Sequence, residues 1–525
     1  MRLNSYTTLL FIVLMMLSGC GGGGGGSTDI SNQVPTADAG VDRTVQVNQT
    51  ISITGNGIDA DGSIVSYRWT EGITVVGTTA TFSYTPTTTG IHTLTLTVTD
   101  NDGATDSDTM NVNVTAVRLP LIIIRIEFND YNFTSDASVW AEKIFGTSEG
   151  QLNHYFNEIS YGKFQFKAAN ETDGIADGII TVSLAEYHPD DLQNKIDRLV
   201  EATRLSDDYI DFSQYDTNHN GAISSDELQI MFLVAGGELA TGLHPGIWAH
   251  SWCMEQFVNN VASPTRDNVR LMSCNNSGTY SAFGERHFDF DNSGNDATIG
   301  IIAHELGHAE FSIPDLYDTD ESSSGIGNFG LMGGGSWAHK EGDSYFGQTP
   351  VHMVGWSKVR SGFVTSTVID QNITDLDINA TSSITYTLYQ VPTGRTGEYF
   401  LLENRAASGY DRGLFSLEGT GSYMGGLSIL HVDDNLLDSC IDDNNCNNNE
   451  SHKLVDVEEA NDDSELDSNS IYVGHYNNLF FAENFDSFTP DTTPNSDTYM
   501  SGSSGVSITN ISTASATMTL DVEIN

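Results

Sequence analysis

The stretch AHELGHAEFSIPDLYD, residues 303–318, constrains this chain more than any other. Its histidines stand four apart, a spacing that brings both side chains to one face when the segment is helical. His304 and His308 can then point their imidazoles at a common ion. Glu305, the next residue round, falls where a carboxylate can take a proton from water held by that ion. Local signals agree with a helix: Asp296 or Thr298 can cap its start, and Ile299, Ile302, Ala303 and Leu306 form an apolar stripe. The histidines would ride on an element anchored by packing, and the rest of the fold has to be built around it.

A catalytic zinc takes a third protein ligand and keeps one position open. Asp315 is the candidate, seven residues after His308, where Pro314 ends the helix and turns the chain back toward the ion. Asp318 is the alternative. Downstream, GIGNFGLMGGGSWAH (325–339) holds Met332 among glycines and resembles the methionine turn beneath the zinc of metzincin proteases; otherwise Met332 is a core methionine in a glycine-rich loop. Tyr317, His339 and Tyr345 are candidate donors to an oxyanion, and nothing in the spacing chooses among them.

The chain of 525 residues, 38% of them hydrophobic, can fill several cores and predicts about three domains. Its first 20 residues, MRLNSYTTLLFIVLMMLSGC, carry an early arginine and an apolar run from Leu9 to Leu17, too short to span a membrane and typical of an export signal. Leu17-Ser18-Gly19-Cys20 resembles a bacterial lipobox, so residues 1–19 read as a lipoprotein signal and Cys20 as the lipidated residue. Glycine after Cys20 leans the location toward an outer-membrane or cell-surface lipoprotein, with release to the medium as a variant. Residues 20–33, rich in glycine and serine, form a tether. The remaining cysteines, Cys253, Cys274, Cys440 and Cys446, are even in number in an exported chain, which favours disulfides. Proximity pairs Cys253 with Cys274 and Cys440 with Cys446, although four cysteines allow three connectivities.

Lys and Arg total 21 against 71 Asp and Glu, a formal charge of -50 that repels phosphate backbones and anionic lipid surfaces. Nucleic acid is excluded as a partner, and the membrane is reached only through the anchor. Part of the acidity has metal-loop spacing: DTNHNGAISSDE (216–227) fills the calcium-loop template with Asp216, Asn218, Asn220, the Ala222 carbonyl and Glu227, and Gly221 stands at the sharp turn. Ile223 should pack inward. A strand pattern follows, so this reads as a structural calcium site without paired helices, or as a solvated loop of Asx turns. A second acidic loop, DFDNSGND (289–296), matches no template.

From 34 to 115 the sequence alternates in short Thr-, Val- and Ile-rich runs broken by Gly, Asp and Asn turns, the pattern of an immunoglobulin-like β-sandwich. The pieces DADGSIVSYRWTEG (59–72) and LTLTVTDNDGATDSDTMNVNV (94–114) resemble the polycystic-kidney-disease (PKD) module, which implies a spacer or binding module with Trp69 in its core. LPLIIIRIEFND (119–130) reads as a strand buried on both faces and opens a mixed region, 116–365, with helices around 137–160 and 191–204. Residues 366–525 read as a β-rich region packed on it, with strands in SITYTLYQV, EYFLLENR, GLSILHVDD and ATMTLDVEI.

AHELGH with PDLYD, GLMGGG (330–335), PVHMVGWSKV (350–359), EYFLLENR (398–405), GLSILHVDD (426–434) and HKLVDVEEAND (452–462) together resemble the immune-inhibitor-A-like family of secreted bacterial zinc metallopeptidases. The resemblance implies an α+β zincin- or metzincin-like protease domain, zinc on His304, His308 and Asp315, and Glu305 as catalytic base. It departs from the metzincin pattern HExxHxxGxxH, whose glycine and third ligand are replaced here by Phe311 and Pro314. The combined expectation is a monomeric, exported, lipid-anchored zinc endopeptidase acting on proteins or peptides and stabilised by calcium. The rival is a calcium-stabilised surface adhesin on an inactive protease fold.

Overall fold

Strand Val117–Phe128 organises the larger part of the molecule. Its near-continuous apolar sequence is buried on both faces, and the two-residue repeat of a strand sends alternate side chains to two different cores. Leu119, Leu121 and Ile123 enter one core, and Ile122, Ile124 and Ile126 enter the other. The strand pairs in parallel with Phe164–Ala168 and Ile179–Leu184 on one side and Gln229–Glu238 on the other. Gln229–Glu238 in turn pairs in parallel with Tyr280–His287, and His250–Trp252 closes the edge antiparallel to that strand.

The computed structural model describes residues 31–190, 196–256, 262–287, 294–419, 425–500 and 502–525. The export signal, Cys20, tether residues 20–30 and residues 289–293 of the second acidic loop lie outside the described residues. The chain divides into two units. One takes the described part of 1–43 with 50–84 and 91–112; the other takes 44–49, 85–90 and 113–525.

Residues 36–115, most of them in the smaller unit, form a β-sandwich. Its larger sheet runs Arg43–Gln46, Thr105–Thr115, Gly90–Asp100, Ile64–Glu71, Thr74–Gly77, and Ile51–Thr54 pairs with Thr81–Tyr84 in another. Alternation buries Leu94, Leu96 and Val98 completely, each contributing about 1.5–3 kcal/mol. Trp69 is fully buried as expected, and its ring N–H donates to the Thr79 carbonyl at 3.2 Å.

In the larger unit, helices α1 (Ala137–Phe145) and α2 (Leu152–Ile159) cover one face of the mixed sheet, and α3 (Asp197–Ser206) covers the other. The helix of the histidines, α4 (Ile299–Phe311), joins the core of α1 and α2 through Ile302, Ala303 and Leu306. It is buried almost all round, so apolar residues share it with buried His304 and Glu305. Its expected cap is not made: the Thr298 hydroxyl donates to the Phe346 carbonyl, and Asp296 pairs with Arg286 at 2.7 Å. The helix ends at Ser312 in the left-handed conformation, whose N–H donates to the His308 carbonyl.

The C-terminal residues add two sheets. One runs Thr367–Val368, Tyr389–Pro392, Glu398–Asn404, Leu427–Asp433, Val455–Val457; the other runs Ile373–Asn379, Thr517–Ile524, Val506–Thr509. Leu401, Leu430 and Val432 reach the core that holds α4, whereas Phe400, Leu402 and Ile429 pack against Met518 and Leu520. The expected strand in SITYTLYQV is mostly absent. Only Tyr389–Pro392 extends, because Ser383 and Thr385 bond each other's hydroxyls in a turn that leaves Ile384 94% exposed.

Candidate metal centre

His304 and His308 project from successive turns of α4 and Asp315 from the irregular chain after Pro314. Their ligand atoms form a small triangle: His304 Nε2 to Asp315 Oδ1 is 3.0 Å, His308 Nε2 to Asp315 Oδ1 is 3.1 Å, and the two Nε2 atoms are 3.2 Å apart. Ligands about 2.0–2.1 Å from a tetrahedral zinc stand roughly 3.3 Å from one another, so the triangle has the size of one face of such a site.

The far ring nitrogens decide what the triangle can hold. His304 Nδ1 donates to the Leu331 carbonyl at 2.9 Å and His308 Nδ1 to the Ile313 carbonyl at 2.6 Å. With those protons fixed, each neutral imidazole presents only a lone pair at Nε2. Asp315 Oδ1 is buried and receives no hydrogen bond. With both imidazoles neutral, three acceptors converge, an arrangement that suits a cation. Burial alone would lift the Asp315 carboxyl, but His308 and His304 hold it far below the usual carboxylate range. Burial opposes an imidazolium at His308 while Asp315 favours one, so a proton on His308 Nε2 and a cation compete for the same triangle.

Glu305 is 5% exposed, and burial together with the negative charge of Asp315 pushes its carboxyl up to about 8 against the pull of His304. The glycine-rich turn supports the centre from below. The Leu331 carbonyl orients His304, the Met332 carbonyl accepts the Leu316 N–H at 2.8 Å, and the Met332 side chain lies against Gly307 between the two histidines. Asp318, the alternative ligand, is engaged elsewhere and accepts from Asp320 N, Ser322 Oγ and Ser323 N.

The triangle opens into a cleft of about 1150 Å³. Trp248, Trp252 and Trp337 line it, and its acids are Glu305, Asp315, Asp318, Glu321, Asp442 and Asp443, with no lysine or arginine among the described lining residues. Of the oxyanion candidates only Tyr317 lines this cleft. Tyr345 lines a different cavity with Lys143 and Arg286, and His339 packs against Phe346 and Phe415. Sequence reasoning missed the Leu331 and Ile313 carbonyls, which no side chain announces, and Asn444, which meets Asp315 from 129 positions away.

Both expected disulfides are present, Cys253–Cys274 and Cys440–Cys446. In the 216–227 loop, Gly221 takes φ +79° as the sharp turn requires, and Ile223 is buried in the second core. Asp216 accepts from Asn220 N and Gly221 N, and Asn220 Oδ1 from Ala222 N. Glu227 closes the loop on the amides of Thr217, Asn218 and Ser224.

Residues 126–364 match the family described as immune inhibitor A peptidase M6, catalytic domain, and residues 39–114 match a PKD domain family. Pre-pro-metalloprotease PrtV of Vibrio cholerae serotype O1 is 31% identical over 160 residues, 29% of this chain and 16% of that protein. Immune inhibitor A of Bacillus thuringiensis subsp. alesti is 28% identical over 189 residues, 31% of this chain and 26% of that protein. The chain thus spans about a quarter or less of these curated relatives. Among solved structures, the PKD1 domain of Vibrio anguillarum Epp is 32% identical over 16% of this chain and 99% of that one, with a TM-score of 0.14. By its two family matches, the chain carries a PKD domain followed by a catalytic domain of the immune inhibitor A peptidase M6 family.

Proposed function

We propose that this chain is an exported, lipid-anchored zinc endopeptidase with a zincin-like catalytic domain over 116–365. On this reading residues 34–115 are a spacer and 366–525 complete the protease. The observation that carries it is the convergence of His304 Nε2, His308 Nε2 and Asp315 Oδ1 within 3.2 Å of one another, beside a buried Glu305 and at the edge of a cleft of about 1150 Å³. His304, His308 and Asp315 would hold the ion. When bound, zinc polarises a carbonyl and makes water acidic enough to lose a proton near neutral pH. Glu305 takes that proton and returns it to the leaving amine, a task suited to a carboxyl raised toward neutrality by burial. Of the candidate oxyanion donors, Tyr317 takes this role in the proposal because it is the one that lines the cleft. The name of one relative, a pre-pro-metalloprotease, agrees with this class of reaction.

A structural calcium on Asp216, Asn218, Asn220, the Ala222 carbonyl and Glu227 belongs to the same proposal, supported by the template spacing and the left-handed Gly221. The adhesin reading has no observation in its favour. A Glu305→Gln variant tests the assignment: casein cleavage should fall at least about 10²-fold with the metal retained. Cleavage at the native rate would remove Glu305 from the mechanism.

A further inference from the structure

Asp315 lies on a segment with no helix or strand of its own, so something outside the segment must fix the third corner of the triangle. That role falls to Asn444. Its Oδ1 accepts the Asp315 backbone N–H at 2.8 Å, and its Nδ2 donates to Asp315 Oδ2 at 2.5 Å. One amide therefore grips the main chain and the carboxylate of the same residue, leaving only Oδ1 to face the two imidazoles. Asn447 extends the grip by donating to the Leu316 carbonyl at 2.8 Å, and Asn448 accepts from Thr319 N and Oγ1 at 3.0 Å. Asn444 stands at φ +51°, a left-handed conformation that Asn and Asp tolerate, inside the short loop closed by the Cys440–Cys446 bond.

We propose that Asn444 is the positioning residue of the third metal ligand, and that the Cys440–Cys446 disulfide, by holding the loop of Asn444, governs how tightly the centre retains its ion. The inference rests on the metal-ligand reading above. Pinning Oδ2 turns the carboxylate into a single-oxygen ligand of fixed direction, and hydrogen-bond partners of this kind hold metal affinity by about 10–100-fold. Without the clamp Asp315 is free to rotate or turn away.

The informative substitution is Asn444→Asp. It keeps the size, the tolerance of positive φ and an acceptor for the Asp315 N–H, but it replaces the donor to Oδ2 with a repelling oxygen. In the full chain, zinc affinity is measured by competition with a chromophoric chelator, and the visible spectrum of the cobalt-loaded protein reports ligand geometry. The expected results are a loss of about 10–100-fold in zinc affinity and an altered cobalt spectrum for Asn444→Asp. Asn448→Ala, which cuts a bond to the Asp315 segment from just beyond the disulfide loop and away from the carboxylate, should change affinity much less. The Cys440→Ser/Cys446→Ser variant should weaken zinc in the same direction as Asn444→Asp while circular dichroism stays native. Native affinity and spectrum in Asn444→Asp, with wild type binding zinc, would overturn the clamp and leave the metal reading standing. Equal losses in Asn444→Asp and Asn448→Ala would also overturn it, because general docking of residues 444–448 and not the amide on the carboxylate would then matter. A wild-type chain that takes up no zinc would overturn both.

Discussion

Gly300→Ala is the most telling single substitution in the scaffold of the centre. Gly300 is the second residue of α4, and a Cβ built there would lie 1.8 Å from the Ser336 carbonyl oxygen and 3.0 Å from the Gly347 carbonyl oxygen. Both obstacles are backbone, and Gly347 also accepts the Gly300 N–H at 3.1 Å, so neither can swing aside as a side chain would. Ordinary contact requires the helix start to back off by roughly 1.5 Å, given optimal non-bonded separations of about 3.5–4.0 Å between carbons and slightly less to oxygen. Alanine would normally favour the helix by about 1 kcal/mol over glycine. Overpacking costs about 1–3 kcal/mol, and a backbone collision belongs at the upper end. The net expectation is a loss of about 2 kcal/mol. His304 lies about one turn further along the displaced helix, so zinc affinity should fall as well. Gly307→Ala is the matched control: its Cβ would meet Met332 Sδ at 2.6 Å, and a thioether can re-rotamer, so the helix-propensity gain should largely offset the clash. Urea unfolding followed by tryptophan fluorescence reads the larger unit, which holds Trp140, Trp248, Trp252, Trp337 and Trp356. Gly300→Ala as stable as wild type, or less damaging than Gly307→Ala, would refute the packing argument.

Calcium, a buried histidine and the charge of the cleft give three more tests. Millimolar calcium should raise the unfolding temperature of the full chain, by about 2.7 kcal/mol of stabilisation at a hundredfold excess over Kd, and Asp216→Ala should abolish the gain; no response to calcium in wild type would count against the 216–227 site. At His431 burial opposes the charge, but Glu398 at 3.0 Å and Glu458 at 3.1 Å, one on each ring nitrogen, hold the imidazolium up to about 9. That stabilisation, on the order of 3 kcal/mol, is complete below the unfolded value near 6.5 and is lost as pH rises to about 9. His431→Gln should flatten the stability profile across this window, and an unchanged slope would reject the assignment. The carboxylate-lined cleft should cleave peptides with lysine or arginine near the scissile bond faster than acidic counterparts, with the gap narrowing as ionic strength rises; equal rates at low salt would show the lining charges to be irrelevant.

What the sequence made legible was local or periodic. The four-residue spacing of His304 and His308 encodes a helical face within one turn, Pro314 marks where the chain leaves that helix, and the near-continuous β-branched apolar run at 119–128 reads as a strand covered on both sides. Cysteine proximity sufficed for both disulfides because each loop is short, with separations of 21 and 6 residues. The rest depends on contacts between distant segments, for which one sequence holds no signal. Asn444 meets Asp315 across 129 positions, and its run of asparagines reads as an ordinary polar loop. The Thr298 hydroxyl leaves the helix start for the Phe346 carbonyl, a tertiary contact that overrides the local capping preference. SITYTLYQV has strand composition, yet hydroxyl bonds between Ser383 and Thr385 turn the chain there, and Tyr345 faces another cavity despite its nearness to the centre in sequence.

The central claim is that the triangle of His304, His308 and Asp315 holds a catalytic zinc. Its most direct test is elemental mass spectrometry of the purified full chain, paired with casein cleavage before and after a zinc chelator and after readdition of zinc. The account predicts about one zinc per chain, cleavage that disappears with the metal, and cleavage that returns with it. A folded chain that carries no zinc and cleaves nothing, or one whose cleavage persists after the metal is stripped, would contradict it.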